Sequence, residues 1–315
     1  MLNNPFVYSD SNKKYHTLDY FYKHKFNSKV FKVSLNAGFS CPNIDGKLGY
    51  NGCIYCSKEG SGDFAGDKNK DLVSQFNEIK EMLLKKWPQA KYIGYFQARS
   101  NTYAPVSVLK EKYETILDLD NVIGLNIATR SDCISTEVLD YLTDLNKRTY
   151  LTVELGLQTI NEKTTKLINR CHSLDNFYNM VIKLRERNIN VVVHIINGLP
   201  NEDKEDMLNT VKYLNNLDIQ GIKIHMLHVL KNTPLEYLYQ TKKFHLLTKE
   251  EYIDIVTSQL ENLRSEIVIH RITGDAKSDD LVAPLWTIKK FCILNDIDKE
   301  MKKRNTYQGK CVKPT

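Results

Sequence analysis

The sequence predicts an α/β fold, a partial (β/α)6 TIM-like barrel with extensions at both ends. Three observations predict it. Short β-rich runs alternate with amphipathic helical runs six times after residue 29. Six such units in a row imply right-handed crossovers and a parallel sheet, which curls into a full or partial barrel. A loop carrying cysteines and glycines directly follows the first strand, at the end where a barrel presents its ligands.

The first strand is expected at Val30–Leu35. A helix around Leu72–Lys86 follows the cysteine loop, because Leu72, Val73, Phe76, Ile79, Leu83 and Leu84 recur at helical spacing. Pro88 stops it. The next strand is Tyr92–Phe96, with a helix at Val106–Leu117. A third strand, Val122–Ala128, leads to a helix from Thr136 to Leu145 for which Ser135 is the N-cap. The fourth strand is Leu151–Leu155, then a polar loop, then a helix over Leu174–Arg187. Asn188 signals a turn before the fifth strand, Val191–Ile196. A helix through Met207–Leu214 and a sixth strand, Ile222–Leu227, complete the alternation. Beyond it the sequence reads as a helix (Glu250–Leu263), a short strand (Ile267–Arg271) and a final helix (Leu285–Met301). The chain thus divides into a basic, aromatic N-terminal extension (1–28), a core (29–232) and a C-terminal helical extension packed on it (233–315).

Of the 315 residues 42% are hydrophobic and 26% charged, so the chain can bury a substantial core. No apolar run approaches the roughly 20 residues that span a bilayer. Met1–Asp10 is polar and lacks a signal-peptide apolar region. A cytoplasmic protein without a membrane partner is expected. Seven cysteines suit a disulfide framework poorly, and in a reducing compartment clustered cysteines read as metal ligands. The net charge is +6. Lys13, Lys14, Lys23, Lys25, Lys29 and Lys32 are interleaved with Tyr15, Tyr20, Phe21, Tyr22, Phe26 and Phe31, and the C-terminal stretch is also basic, with Lys302 and Lys303 adjacent. Such interleaving suits phosphate contact with base stacking. On charge alone, the favoured reading is aromatics in a core beneath solvated lysines.

Cys41, Cys53 and Cys56 lie in one loop, separated by eleven and two residues. Thiolates select zinc, Cu(I) or iron–sulfur clusters. Structural zinc wants four ligands, and only three are local. Three cysteines with an open fourth position suit a [4Fe–4S] cluster that binds a ligand on one iron. The alternative is a zinc loop completed by a distant Cys or His. Cys133, Cys171, Cys292 and Cys311 are isolated and read as small buried hydrophobes. Gly46, Gly49 and Gly52 let the loop wrap closely, and Tyr55 is placed to set a ring against an adenine.

These residues resemble the YhcC/YtqA-type (MnmL-like) radical S-adenosylmethionine (SAM) family, which is related to the catalytic subunit of elongator. The resemblance rests on Val33-Ser-Leu-Asn-Ala-Gly-Phe-Ser-Cys41-Pro-Asn, Gly52-Cys-Ile-Tyr-Cys56, Tyr95-Phe-Gln-Ala, Asn101-Thr-Tyr-Ala-Pro105, Thr129-Arg-Ser-Asp132, Glu154-Leu-Gly-Leu-Gln-Thr159, Asn197-Gly-Leu-Pro200, His225-Met-Leu-His228 and Val282-Ala-Pro-Leu-Trp286. It covers nearly the whole chain. Arg170-Cys-His172 departs from it, where Arg-Gly-His is expected.

The resemblance implies a radical SAM barrel, a [4Fe–4S] cluster on Cys41, Cys53 and Cys56, SAM as cofactor, and a 5′-deoxyadenosyl radical that abstracts a substrate hydrogen. It implies a one-electron reductase such as flavodoxin or ferredoxin as partner. Tyr95 and Gln97 are expected at the methionine end of SAM, Glu154 at the ribose and Gly198 and Pro200 along the adenine, with Arg130 and Gln158 on the SAM side. Read from position alone, Glu154 equally suits a strand-end ion pair, Arg130 a pair with Asp132, and Gly198 and Pro200 a plain turn. His194, His225 and His228 read as satisfied core residues, with His225 and His228 on opposite faces of a strand. Trp286 reads as core or as a base-stacking ring.

For the substrate, the resemblance implies tRNA: conversion of wobble 5-carboxymethylaminomethyl-uridine to 5-aminomethyl-uridine, ahead of a downstream methyltransferase. The alternatives are a radical SAM enzyme acting on a small molecule or peptide, and a non-catalytic zinc-dependent RNA-binding protein.

Overall fold

The computed structural model describes residues 6–313. Residues 1–5 of the N-terminal extension and 314–315 of the C-terminal one lie outside the described residues. Six strands follow one another in sequence, β1 (Val30–Leu35), β2 (Lys91–Phe96), β3 (Val122–Thr129), β4 (Tyr150–Gln158), β5 (Asn190–Asn197) and β6 (Gly221–Met226). After the short β7 (Val229–Leu230), β8 (Val268–Arg271) joins β6 as the seventh strand of the sheet, and β9 (Leu281–Ala283) pairs antiparallel with β7. All pairings within the seven-stranded sheet are parallel and sequential. The stretch expected to be a strand of the C-terminal extension is therefore an edge of the barrel itself.

The described helices are α1 (Leu18–Phe26), α2 (Leu72–Leu84), α3 (Val106–Leu117), α4 (Thr136–Asn146), α5 (Glu162–Leu167), α6 (Leu174–Arg185), α7 (Lys204–Leu214), α8 (Pro234–Gln240), α9 (Lys249–Glu261) and α10 (Lys290–Lys303). Ser135 caps α4 as expected, accepting from the Val138 N–H at 3.3 Å. The expected polar loop before α6 holds the single-turn α5, capped by Asn161. The final helix is interrupted. A 3-10 turn, Leu285–Ile288, precedes α10, and Lys289 between them leaves helical geometry (φ −90°, ψ 57°).

Strand alternation divides the sheet into two chemistries. Outward-facing Val33, Leu125, Val153, Val193 and Ile222 are fully buried against helix residues such as Phe76, Leu109, Leu142, Phe177 and Val211. Each such side chain contributes about 1.5–3 kcal/mol by leaving water. The opposite positions, Lys32, Tyr95, Asn126, Glu154, His194 and Lys223, face the barrel interior. The sheet curls far enough that its two edge strands approach: Lys32 Nζ on β1 lies 3.0 Å from His270 Nδ1 on β8.

The seam between β1 and β8 is also covered by the N-terminal segment. Thr17 bridges Ile269 in parallel and caps α1, accepting from the Tyr20 N–H at 3.2 Å. α1 packs on β1 and β8 and buries Tyr22. Phe21 and Phe26 pack with Tyr22, Val30 and Ile93, and Tyr15 joins the main core. Of the two readings of the aromatic N-terminal segment, core packing is the one observed for these rings.

Close strand packing makes Gly124 a point of sensitivity. A Cβ there would lie 2.1 Å from the backbone oxygen of Tyr150 on β4, which cannot yield without breaking the ladder. Gly124→Ala is expected to destabilise the chain by roughly 2 kcal/mol, lowering the thermal midpoint by several degrees. An unchanged melting curve by circular dichroism would contradict this register.

Candidate active site

The inner face lines a chamber of about 910 Å³ that runs from the cysteine loop, past the strand interiors, to α1. Its mouth is built by the loop after β1. Backbone bonds fold this loop on itself: Ile44 N–H to Cys41 O (3.0 Å), Gly52 N–H to Asn43 O (2.8 Å) and Cys56 N–H to Cys53 O (3.1 Å). Gly52 sits at φ +66°, in the left-handed region that favours glycine. Asn43 Nδ2 donates to Asn169 O (2.8 Å) and Asn169 Nδ2 donates back to Gly52 O (2.7 Å), which ties the loop to the segment between α5 and α6.

Cys41, Cys53 and Cys56 all line the chamber. Cys56 hydrogen-bonds to Cys53. That bond, aided by the Arg130 charge and opposed by burial, pulls the Cys53 thiol down to about 7. The same bond and burial push Cys56 well up. A thiolate at neutral pH is the form that binds metal. Among the described residues, no three His, Cys, Asp or Glu side chains meet as they would around one metal ion. An iron–sulfur cluster takes one thiolate per iron, and three thiols around a common space with a cation opposite fit that donor chemistry.

Arg130 makes the expected pair with Asp132, donating through Nε (2.9 Å) and Nη2 (2.7 Å), and its Nη1 donates to Arg170 O (2.8 Å). Arg170 is buried and donates to the carbonyls of Thr159 (2.8 Å), His172 (2.9 Å) and Leu157; burial lowers it to about 10. Cys171, where the resemblance expects glycine, is at φ +66°. The position therefore requires the left-handed backbone, and this chain meets the requirement with a cysteine. Gln97 lines the mouth and donates to Ser61 O (2.7 Å). Gln158 lines it from the end of β4, where the register shifts and its φ is +61°. Tyr55, half-buried beside the thiols, packs with Ile54 against a small apolar cluster containing Ile168, Leu199 and Leu235.

Glu154 is not at a strand end. β4 extends to Gln158, so Glu154 is mid-strand and its carboxylate lies inside the barrel. Oε1 accepts from Lys32 Nζ (3.0 Å) and Asn126 Nδ2 (2.7 Å). Oε2 accepts from His194 Nε2 (2.8 Å) and Lys223 Nζ. The four lone-pair directions of the carboxylate are thereby met by protein donors. Burial opposes the charge on Glu154, but Lys223 and Lys32 outweigh it and hold the carboxyl well below its usual range. Tyr95 belongs to the same group: its hydroxyl accepts from Lys223 Nζ at 2.9 Å, and that ammonium sits 4.3 Å from the ring centre.

Gly198 and Pro200 do not reach the chamber lining. Gly198 is at φ +88°, with Leu247 and Leu227 next to where a Cβ would stand. His225 and His228, expected on opposite faces, both line the chamber, because β6 ends at Met226 and the chain turns before His228. Trp286 is half-buried, donates to Leu247 O (3.2 Å) and packs beside Tyr252. The site residues that sequence reasoning missed are Lys32, Asn126, Lys223, His270 and Arg271. For Lys32, Asn126 and Lys223 the signal was a polar residue alternating with apolar neighbours along a strand; His270 and Arg271 are consecutive on β8 and carried no such signal.

The match to known proteins agrees with this architecture. The Radical SAM superfamily model matches residues 50–214, and the Radical_SAM C-terminal domain model matches residues 219–303. The chain belongs to the radical SAM superfamily. It is 51% identical over 310 residues to the uncharacterized protein YtqA of Bacillus subtilis (strain 168), covering 98% of this chain and 96% of that one. Protein YhcC of Escherichia coli (strain K12) is 30% identical, over 92% and 93% of the two chains. A tRNA uridine(34) acetyltransferase of Methanocaldococcus infernus is 24% identical over 51% of this chain and 30% of its own. Among solved structures, the archaeal Methanocaldococcus infernus Elp3 superposes with a TM-score of 0.68 at 17% identity, covering 89% of this chain and 64% of that one. That likeness bears on the fold. Among the described residues, no helix is long and apolar enough to cross a membrane.

The interior makes stability depend on pH. Burial holds His194 and His228 down to about 4, and burial with the neighbouring Lys32 and Arg271 charges lowers Lys223 to about 7. From pH 4 to 6.5 through the imidazoles, and above 7 through Lys223, the unfolded chain binds more protons than the folded one. Stability therefore rises with pH through both windows. Glu154 acts in the same sense, its contribution being lost on acidification through its depressed value. The urea midpoint of the metal-free chain is expected to climb between pH 5 and 7 and again between 7 and 9. Lys223→Met should reduce the second rise and leave the first, and an upper slope unaffected by that variant would contradict the assignment.

Proposed function

We propose that Cys41, Cys53 and Cys56 hold a [4Fe–4S] cluster at the chamber mouth and that SAM binds beside it. Gln97, Arg130 and Gln158 lie on its side of the chamber, and Tyr55 lies against the thiols. The observation that carries this reading is the three-cysteine loop opening onto a polar chamber in a radical SAM chain. When bound, such a cluster supplies the electron that cleaves SAM and yields a hydrogen-abstracting carbon radical. The chain's own part is to position, to enclose and to exclude water. Loop and strand ends place the thiols, the curled sheet surrounds the reacting space, and the apolar outer layer keeps it dry. In this arrangement Glu154 and Tyr95, whose polar atoms are engaged by lysines, form the floor rather than a ribose contact.

The substrate we propose is the wobble uridine of tRNA, with conversion of the 5-carboxymethylaminomethyl to the 5-aminomethyl form. The resemblance to the YtqA branch supports it, as does the partial similarity to a protein named as a tRNA uridine(34) acetyltransferase. Exposed Lys302 and Lys303 at the end of α10 are available for phosphate contact. A wobble base would have to leave its stack to enter the chamber.

Two measurements test this. Anaerobic reconstitution should give about four irons and four sulfides per chain, falling sharply in Cys56→Ala; one zinc per chain would favour the RNA-binding alternative. Nucleoside mass spectrometry of bulk tRNA from cells carrying Cys56→Ala should show 5-carboxymethylaminomethyl-uridines accumulating and aminomethyl forms lost. Identical profiles would remove the tRNA substrate and leave the cluster reading standing.

A further inference from the structure

The chamber floor holds more positive charge and more hydrogen-bond donors than the protein itself uses. Lys32 and Lys223 share one carboxylate, Glu154, whose acceptor positions are all filled. With both lysines protonated, two ammonium charges face one carboxylate; burial lowers both, Lys223 to about 7, so at neutral pH the space carries part of one excess positive charge. Arg271 and Asp275, further along the wall, pair with each other at 3.1 Å and do not offset it. The donors tell the same story. Lys223 spends two of its three N–H groups, on Tyr95 and Glu154, and Lys32 spends two, on Glu154 and His270. Nε2 of His225 and Nε2 of His228, both on chamber-lining residues, are buried without a partner. Unmet buried polar atoms cost free energy unless something supplies the missing partner.

We propose that the inner wall along β6, from Lys223 up to the imidazoles of His225 and of His228 at the strand's mouth end, is a recognition site for a carboxylate on the substrate. A carboxylate is acceptor-only, so it suits the spare ammonium N–H groups, and the imidazoles of His225 and His228 in their Nε2–H tautomer. It carries a single negative charge, which neutralises the floor, whereas a phosphate dianion would overshoot. The protein already seats one carboxylate, Glu154, against the same lysines. Lys223 is already depressed by its cationic neighbours, and an arriving anion would relieve it. The inference rests on the radical SAM reading of the chamber. It adds that the substituent entering the chamber ends in a carboxylate, as the carboxymethylaminomethyl group does and the aminomethyl product does not. A preference of this kind separates substrate from product.

The test uses reconstituted holoenzyme with SAM and two anticodon stem-loop RNAs, identical except for a 5-carboxymethylaminomethyl or a 5-aminomethyl wobble uridine. Fluorescence anisotropy should show the carboxylate form bound at least about tenfold more tightly by the wild type. Lys223→Met should abolish that preference while leaving the affinity for the aminomethyl RNA and for SAM within about twofold. His225→Phe serves as the second variant should Lys223→Met not fold, with the same loss expected in smaller degree. Equal affinities in the wild type would overturn the site. So would a Lys223→Met that loses SAM binding but keeps the RNA preference, because the carboxylate would then be that of SAM. Should neither RNA bind, the tRNA reading fails. The anion site is then decided by titrating acetate into histidine-labelled protein: saturable shifts of the His225 and His228 imidazole resonances support it, and their absence sinks it.

Discussion

One carboxylate holds the interior of this barrel together. Glu154 on β4 receives donors from β1, β3, β5 and β6, so four strands that neighbour one another only in part are tied to a single point. A buried ion pair gains little over a well-packed apolar replacement, yet removing one partner leaves a stranded charge that costs about 3–5 kcal/mol. The group is therefore all or nothing. It also spans the opening of the sheet: Lys32 reaches from Glu154 to His270, linking the two edge strands that the backbone ladder leaves unpaired. Thr17 and α1 cover the same seam from outside. Curvature of an open parallel sheet thus depends on side chains as much as on strand twist.

The mouth depends on a different kind of tie. The cysteine loop is long and rich in turns, and its position is fixed by partners on other units. Asn43 donates to the Asn169 carbonyl and Asn169 to the Gly52 carbonyl, and Arg130 from the end of β3 anchors the Arg170 carbonyl while facing Cys53. Arg170 in turn spends its guanidinium on backbone carbonyls, so the segment between α5 and α6 is held from inside. The thiols are consequently placed by β1, β3 and β4 together. A register slip of one residue between any two of these strands would turn the inner set outward and dismantle both mouth and floor.

Much of this was legible in the sequence. The six β-α units are recovered, because outward positions such as Val33, Leu125 and Val193 impose apolar periodicity, and Ser135 and Pro88 mark helix ends by local chemistry. The cysteine loop was legible because its spacing has few other meanings. What escaped was the identity of the floor. Lys32, Asn126 and Lys223 alternate with apolar neighbours as the solvent face of an antiparallel strand would, and only closure of the sheet turns that face inward. Glu154 was noticed but placed at a strand end, because Gly156 and the shifted register near Gln158 hide how far β4 runs. α1 was missed because its lysines and aromatics were read for charge and ring chemistry and not for helical spacing. Thr17 as N-cap, with Leu18, Phe21, Tyr22 and Phe26 at helical spacing, was the overlooked signal.

The polar interior is itself an argument about function. The outer face of the sheet supplies the burial that stabilises the fold, so the inner face is not needed for it and could be filled with aliphatic residues, as in barrels whose cores are layers of Val, Ile and Leu. Instead, desolvated lysines and histidines occupy four of the seven strands along that face, Lys32, His194, Lys223 and His270, against a single central carboxylate. Each costs stability relative to an apolar side chain of the same size. Departures from local consistency on this scale collect at functional sites. Here the thiols share the mouth with Gln97, Arg130 and Gln158, and the lysines Lys32 and Lys223 lie deeper along the strands. A molecule entering from the mouth therefore meets redox-competent ligands before it meets a cationic end. That order suits a substrate that is held by a charged tail and reacts at a neutral carbon nearer the mouth.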